Sequence, residues 1–165
     1  MNFTVEIAQD CNSWKDIEEI NEGLFEDLLK RVLSRYPNFS KIIQFELSIL
    51  LTDNTGIRSL NKKFRGKDTP TNVLSFPDQE INWRKIVELQ LDMDYMYLGD
   101  MAFSYQVIKN ESENKFISFL DHFKHLTVHA ILHLIGYDHI KESDAYAMES
   151  IEVEILKSLG IKSPY

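Results

Sequence analysis

The sequence predicts a single α+β domain over residues 1–165: a small mixed sheet of about four strands packed with about five helices. Three observations lead there. Four short segments have the length and apolar or alternating pattern of strands. Longer segments repeat apolar residues at helical spacing, and no repeat, low-complexity tract or Pro/Gly-rich linker divides the chain. A chain of 165 residues, 44% hydrophobic and 27% charged, is also long enough to bury one core.

The elements follow in order. "FTVEIA" (3–8) alternates as a strand. "SWKDIEEINEGLFEDLLKRVLSRY" (13–36) carries Ile17, Ile20, Leu24, Leu28 and Val32 on one helical face and stops before Pro37. "FELSILL" (45–51) reads as a second strand, closed by the turn signal "DNTG" and followed by a short helix to about Arg65. "NVLSF" (72–76) and "LGDMAFS" (98–104) supply two further strands. Between them, "DQEINWRKIVELQLDMDYMY" has no clear period and reads as a loop or an edge hairpin. A long helix runs from Phe116 to Ile135, with Phe119, Leu120, Phe123, Leu126, Ala130 and Leu134 continuing its apolar face. The last helix, "ESDAYAMESIEVEILKSL", ends at Gly160, a suitable C-cap.

Composition limits the function. Eighteen Lys and Arg against 26 Asp and Glu give a formal charge of −8, which argues against a protein that coats nucleic acid by bulk electrostatics. Any polyanion must be met locally, and residues 54–67 hold Arg58, Lys62, Lys63, Arg65 and Lys67 with no acid among them. The lone Cys11 excludes an internal disulfide framework or a Cys-rich zinc module. "MNFTVEIAQD" has neither the basic start nor the apolar run of a secretory signal, and no apolar stretch reaches membrane-spanning length. A cytoplasmic protein without membrane contact is expected.

"HAILHLIGYDH" (129–139) carries the chemistry. His129 and His133 lie four apart on the long helix, so their side chains share one face a single turn apart. Gly136 falls where the helix should end, and a sharp turn there swings His139 back as a third ligand. Three imidazoles leave a coordination position open, the catalytic rather than the structural arrangement for zinc. Zinc lowers the pKa of its bound water to about 7. His125 lies one turn further back, too far to join the ligands easily, and is a candidate for orienting a ligand or touching substrate. His122 reads as a packed helix histidine.

Two known patterns share this frame. Metzincin proteases carry H-E-x-x-H-x-x-G-x-x-H, and here every position fits except the glutamate, replaced by Ala130. Since that glutamate is the general base of peptide hydrolysis, the frame argues against a protease. "HLTVHAILHLIGYDH", "LNKKFRGKDTPTNVLSFP" and "LGDMAFS" together closely resemble the YbeY family of bacterial metal-dependent endoribonucleases, matching in family order from about residue 45 to 140. Two departures stand out: Ala130 where the family often has glycine, and Asn72 where a carboxylate is usual.

The resemblance implies a single-strand-specific endoribonuclease acting in 16S rRNA 3′-end maturation and ribosome quality control. Its cofactor would be one zinc ion, its partners a 16S rRNA precursor and the ribosome or ribosomal proteins, with no DNA substrate. It marks Arg65 as the cation beside the metal, suited to the charge that develops on a phosphoryl group. Lys62, Lys63 and Lys67 would then position the RNA backbone, although a lysine run is also an ordinary solvated helix face. Ser75 is a candidate to line the cleft, while Asp100 and Asp138 read as local structure. A hydrolase of another substrate and a non-enzymatic ribosome-associated factor with a structural metal are the competing readings.

Overall fold

The computed structural model describes residues 1–165 and contains one four-stranded sheet of order β1-β2-β4-β3. β1 (Asn2–Gln9), β2 (Gln44–Thr52) and β4 (Tyr95–Ser104) run parallel, and β3 (Val73–Pro77) closes one edge antiparallel to β4. Five α-helices accompany it: α1 (Glu22–Leu33), α2 (Asn54–Arg65), α3 (Tyr105–Asn114), α4 (Phe119–Leu134) and α5 (Glu142–Ser158). Three short 3-10 helices lie at Asn12–Trp14, Pro37–Lys41 and Trp83–Glu88. No helix is long and apolar enough to cross a membrane.

The sheet has one well-covered face. Along β2, the alternate residues Phe45, Leu47, Ile49 and Leu51 are buried, and they join Phe25, Leu28 and Val32 of α1 and Phe123 and Ile131 of α4 in the main core. On the opposite face a small cluster of Ile57, Leu74 and Ala102 seats α2 against the sheet.

Several expected boundaries shift for identifiable reasons. The helix expected from Ser13 begins only at Glu22, because Trp14 is drawn into the core instead. Its indole donates to the Thr52 carbonyl at 2.9 Å and packs edge-on against Tyr105, Phe119 and Phe123. Asn21 then caps α1, its side chain accepting from the Leu24 amide. The "DNTG" turn is a helix start, with Asp53 accepting from the Gly56 amide. The long histidine helix starts at Phe119 rather than Phe116, capped by Ser118. α3 went unassigned in the sequence, its apolar pattern being weak.

The segment 78–94 is not an edge hairpin. It contains the third 3-10 helix and runs as a strap over the C-terminal end of α4. Its Ile86 is buried in the main core, Trp83 stacks on Tyr137 with ring centroids 4.8 Å apart, and Arg84 pairs with Asp144 of α5. Gly136 lies under the strap. Its φ is +95°, and a Cβ there would overlap the Ile81 carbonyl oxygen.

Gly136 and Gly66 therefore give a matched comparison, since Gly66 also has positive φ, +69°, but open space around it. Gly66→Ala is expected to cost only the left-handed backbone penalty of about 1–2 kcal/mol. Gly136→Ala adds an unavoidable backbone clash and should cost at least about 3 kcal/mol. Urea unfolding midpoints of the two variants check the order; equal losses would show that the strap does not constrain this turn.

Candidate metal centre

The end of α4 builds the site. The Gly136 amide donates to the His133 carbonyl and the Tyr137 amide to the Leu132 carbonyl, each at 3.0 Å, the paired bonds of a Schellman turn. That turn brings the Tyr137 carbonyl back over the helix end, where it accepts from His133 Nδ1 at 2.8 Å. It also returns His139, whose ring lies 5.5 Å from that of His129 and 5.1 Å from that of His133, centroid to centroid. The candidate ligand atoms of the three histidines all lie within 4.8 Å of one another.

The donor set fits a metal ion. His129 Nδ1 is 2.7 Å from Glu152 Oε1, so this histidine, like His133, has its Nδ1 engaged by a group outside the triplet. Metal-bound histidines usually have this arrangement, with the other nitrogen donating to a carboxylate or backbone carbonyl. The two Nε2 atoms face each other at 3.0 Å. At Zn–N lengths of 2.0–2.1 Å, tetrahedral ligands would stand about 3.3 Å apart, close to that spacing. Three imidazoles and no thiolate suit zinc, and also copper, nickel and iron.

The histidines open into a cleft of about 500 Å³ whose lining includes Arg65, Asn72, Ser75, His129, His133 and His139. Arg65, at the end of α2, donates from Nη2 to the Ser75 carbonyl at 2.8 Å and lays its guanidinium over the Phe76 ring. The lining contains no acidic side chain.

Other candidates are placed elsewhere. Lys62, Lys63 and Lys67 do not line the cleft: Lys62 and Arg58 both bond to Asp68, at 3.3 and 2.8 Å, and Lys63 lies over Phe64. The acid-free stretch is thus partly neutralised by the residue just beyond it. His125 is buried behind the ligands, its Nε2 3.0 Å from Glu152. Asn72 is held from both ends, its Oδ1 accepting from the Val73 amide and its Nδ2 donating to both Glu111 oxygens at 3.1 and 3.2 Å. A carboxylate at position 72 would face Glu111 with like charge, so the amide suits this neighbour. Glu111 also contacts the buried His122, 2.6 Å from its Nε2.

Glu152 escaped the sequence reading. It stands on the buried face of α5 with Met148, Ile155 and Leu156, and an acid inside such an apolar stripe is the one signal that would have flagged it. Burial opposes its ionisation, but hydrogen bonds from His125, His129 and Tyr165 outweigh that and hold its pKa down to about 2. His133 moves in the direction set by burial: desolvation, with His129 nearby, pushes its pKa down to about 4. It is therefore neutral at pH 7, as a metal ligand must be.

Comparison with known proteins decides the lineage. The YbeY family model, described as endoribonuclease YbeY, matches residues 10–160. The chain belongs to the YbeY family. Within it, a protein of Rhodopseudomonas palustris (strain HaA2) named endoribonuclease YbeY is 44% identical over 120 residues. That alignment covers 73% of this chain and 61% of the relative, so the chain spans less than two thirds of that protein's length. The fold is shared with the solution structure of TM1509 from Thermotoga maritima, with a TM-score of 0.54 at 20% identity over 95% of this chain and 92% of that one. The histidine triplet, Gly136 and the arginine-bearing end of α2 all fall within the family match.

The shifted groups set an acid limit for the metal-free protein. Between pH 4 and 6.5 the unfolded chain binds a proton at His133 that the folded chain refuses, so stability rises with pH across that window. Glu152 acts in the same direction below pH 4.5, its contribution being lost as pH falls toward 2. Chemical denaturation of chelated protein should show stability rising by at most about 1.4 kcal/mol per pH unit per group. A flat profile between pH 4 and 6.5 would contradict the burial of His133.

Proposed function

We propose that the protein is a zinc-dependent endoribonuclease of single-stranded RNA, acting in the cytoplasm on the 3′ end of a 16S rRNA precursor and in ribosome quality control. The observation that carries this reading is a cleft in which three histidines share space with Arg65 and with no acidic side chain. A peptide hydrolase would need a general-base carboxylate there, and the position after the first histidine is the buried Ala130. A phosphodiester asks for the opposite lining, free of negative charge and equipped with a fork of donors. Family membership supports the same substrate class.

When bound by His129, His133 and His139, zinc would supply Lewis acidity and an acidified water. The protein's own groups do the rest. Arg65, anchored by Ser75 and Phe76 at the cleft wall, meets the phosphoryl oxygens and counters the charge they gain in the transition state. His133 stays neutral because its partial burial, with His129 nearby, disfavours the charged form, and its Nδ1–H donates to the Tyr137 carbonyl. A cleft beside an edge strand admits a splayed single strand more readily than a duplex. Ribosomal proteins would then help the acidic chain find its RNA.

The test is cleavage of an end-labelled single-stranded RNA by the wild type, by His133→Ala and by Arg65→Ala, purified identically, with a chelator control. His133→Ala and chelation should abolish cutting, and Arg65→Ala should slow it about 10²- to 10³-fold. A cyclic phosphate end would identify the RNA 2′-hydroxyl as nucleophile and a linear phosphate end a water. Equal cutting by all three proteins would overturn the reading, as would zinc binding without any RNA cleavage.

A further inference from the structure

We propose that Glu152 is the positioning residue of the metal centre: it fixes His129 in the tautomer and orientation that present Nε2 to the ion, with His125 and Tyr165 holding the carboxylate in place. This rests on His129 being a metal ligand, and not on RNA being the substrate.

The geometry assigns each oxygen a task. Glu152 is fully buried on α5, and its Oε1 accepts from His129 Nδ1 at 2.7 Å. Its Oε2 takes His125 Nε2 at 3.0 Å and the Tyr165 hydroxyl. No lysine or arginine pairs with it. A carboxylate so deeply buried is costly unless its charge is met, and here two imidazoles and a phenol converge on it to do so. A cation on the far side of the His129 ring would complete the carboxylate–histidine–metal sequence that fixes ring orientation and raises ligand basicity.

The three donors are not equivalent. His129 spans from Glu152 to the cleft and is the only one of the three that lines it. His125 has a buried Nδ1 without any hydrogen-bond partner, so its Nε2–H is committed to Glu152 and the ring serves the carboxylate alone. Tyr165 approaches from the segment after α5, its ring edge-on to His125. Helix α5 thereby acts on an ion held by α4 without touching it, and the remote contact of Tyr165 is tied to the same carboxylate.

The experiment strips the wild type, Glu152→Ala, Glu152→Gln, Tyr165→Phe and His129→Ala of metal, then titrates zinc against a chromophoric chelator. The tautomers of the histidine rings are read in parallel from ¹⁵N shifts. Glu152→Ala should bind zinc about 10- to 100-fold more weakly. In the metal-free protein His129 should lose its uniform Nδ1–H form. Glu152→Gln keeps one acceptor and should fall between it and the wild type, while Tyr165→Phe should shift affinity less than either. A folded Glu152→Ala with wild-type affinity and an unchanged His129 tautomer overturns the proposal. If Glu152→Ala does not fold, Glu152→Gln decides: unchanged affinity and tautomer overturn it equally. Unchanged zinc binding by His129→Ala would remove the metal-ligand reading itself and the proposal with it, whatever the RNA assay shows.

Discussion

The burial of α4 is the constraint on which the site depends. Its apolar face is locked against the sheet and α1, leaving no freedom for the helix to turn about its axis. One residue of an α-helix corresponds to about 100° of rotation, so a slip by a single position would carry His129 and His133 out of the cleft. The Schellman turn and the strap of residues 78–94 fix the other end, because Gly136 fits beneath Ile81 in only one arrangement. The placement of the histidines is thus a by-product of core packing, and ordinary apolar residues determine where the imidazoles point.

Charge in this protein acts locally rather than as a field. With a formal charge of −8, the chain as a whole repels RNA, but at physiological salt such repulsion fades beyond about 8 Å. Inside that distance the cleft presents Arg65 and no acid. The neighbouring basic residues add less than their number suggests, since Asp68 occupies both Arg58 and Lys62. Such a surface favours discrimination at the cleft over tight non-specific binding of a polyanion.

What could be read from the sequence divides along physical lines. Strands β1 to β4 were legible because each alternates or runs apolar over a short length, and the histidine triplet because four residues and a glycine impose one geometry. The helix written through Trp14 was misplaced because helical spacing in "SWKDIEEI" competes with an indole that finds a better place in the core. Residues 78–94 had no period to read, since the strap is held by single contacts, Trp83 on Tyr137 and Arg84 on Asp144, and not by a repeating face. The partner of His129 was invisible for a different reason: Glu152 lies 23 residues away on another helix, and only the fold brings them together.

The three histidines are also unequally prepared. His129 and His133 are partly buried, and each has its Nδ1 fixed, one by a carboxylate and one by a backbone carbonyl. His139 is exposed, on a loop where the Asp138 side chain accepts from the Ile140 amide, and its ring makes no hydrogen bond. Two of the rings would therefore lose little freedom on binding an ion, while the third would have to be ordered at that moment, a cost that would fall on affinity. The two fixed rings would set where an ion sits, and the third, at the cleft's exposed side, keeps the freedom to adjust to it.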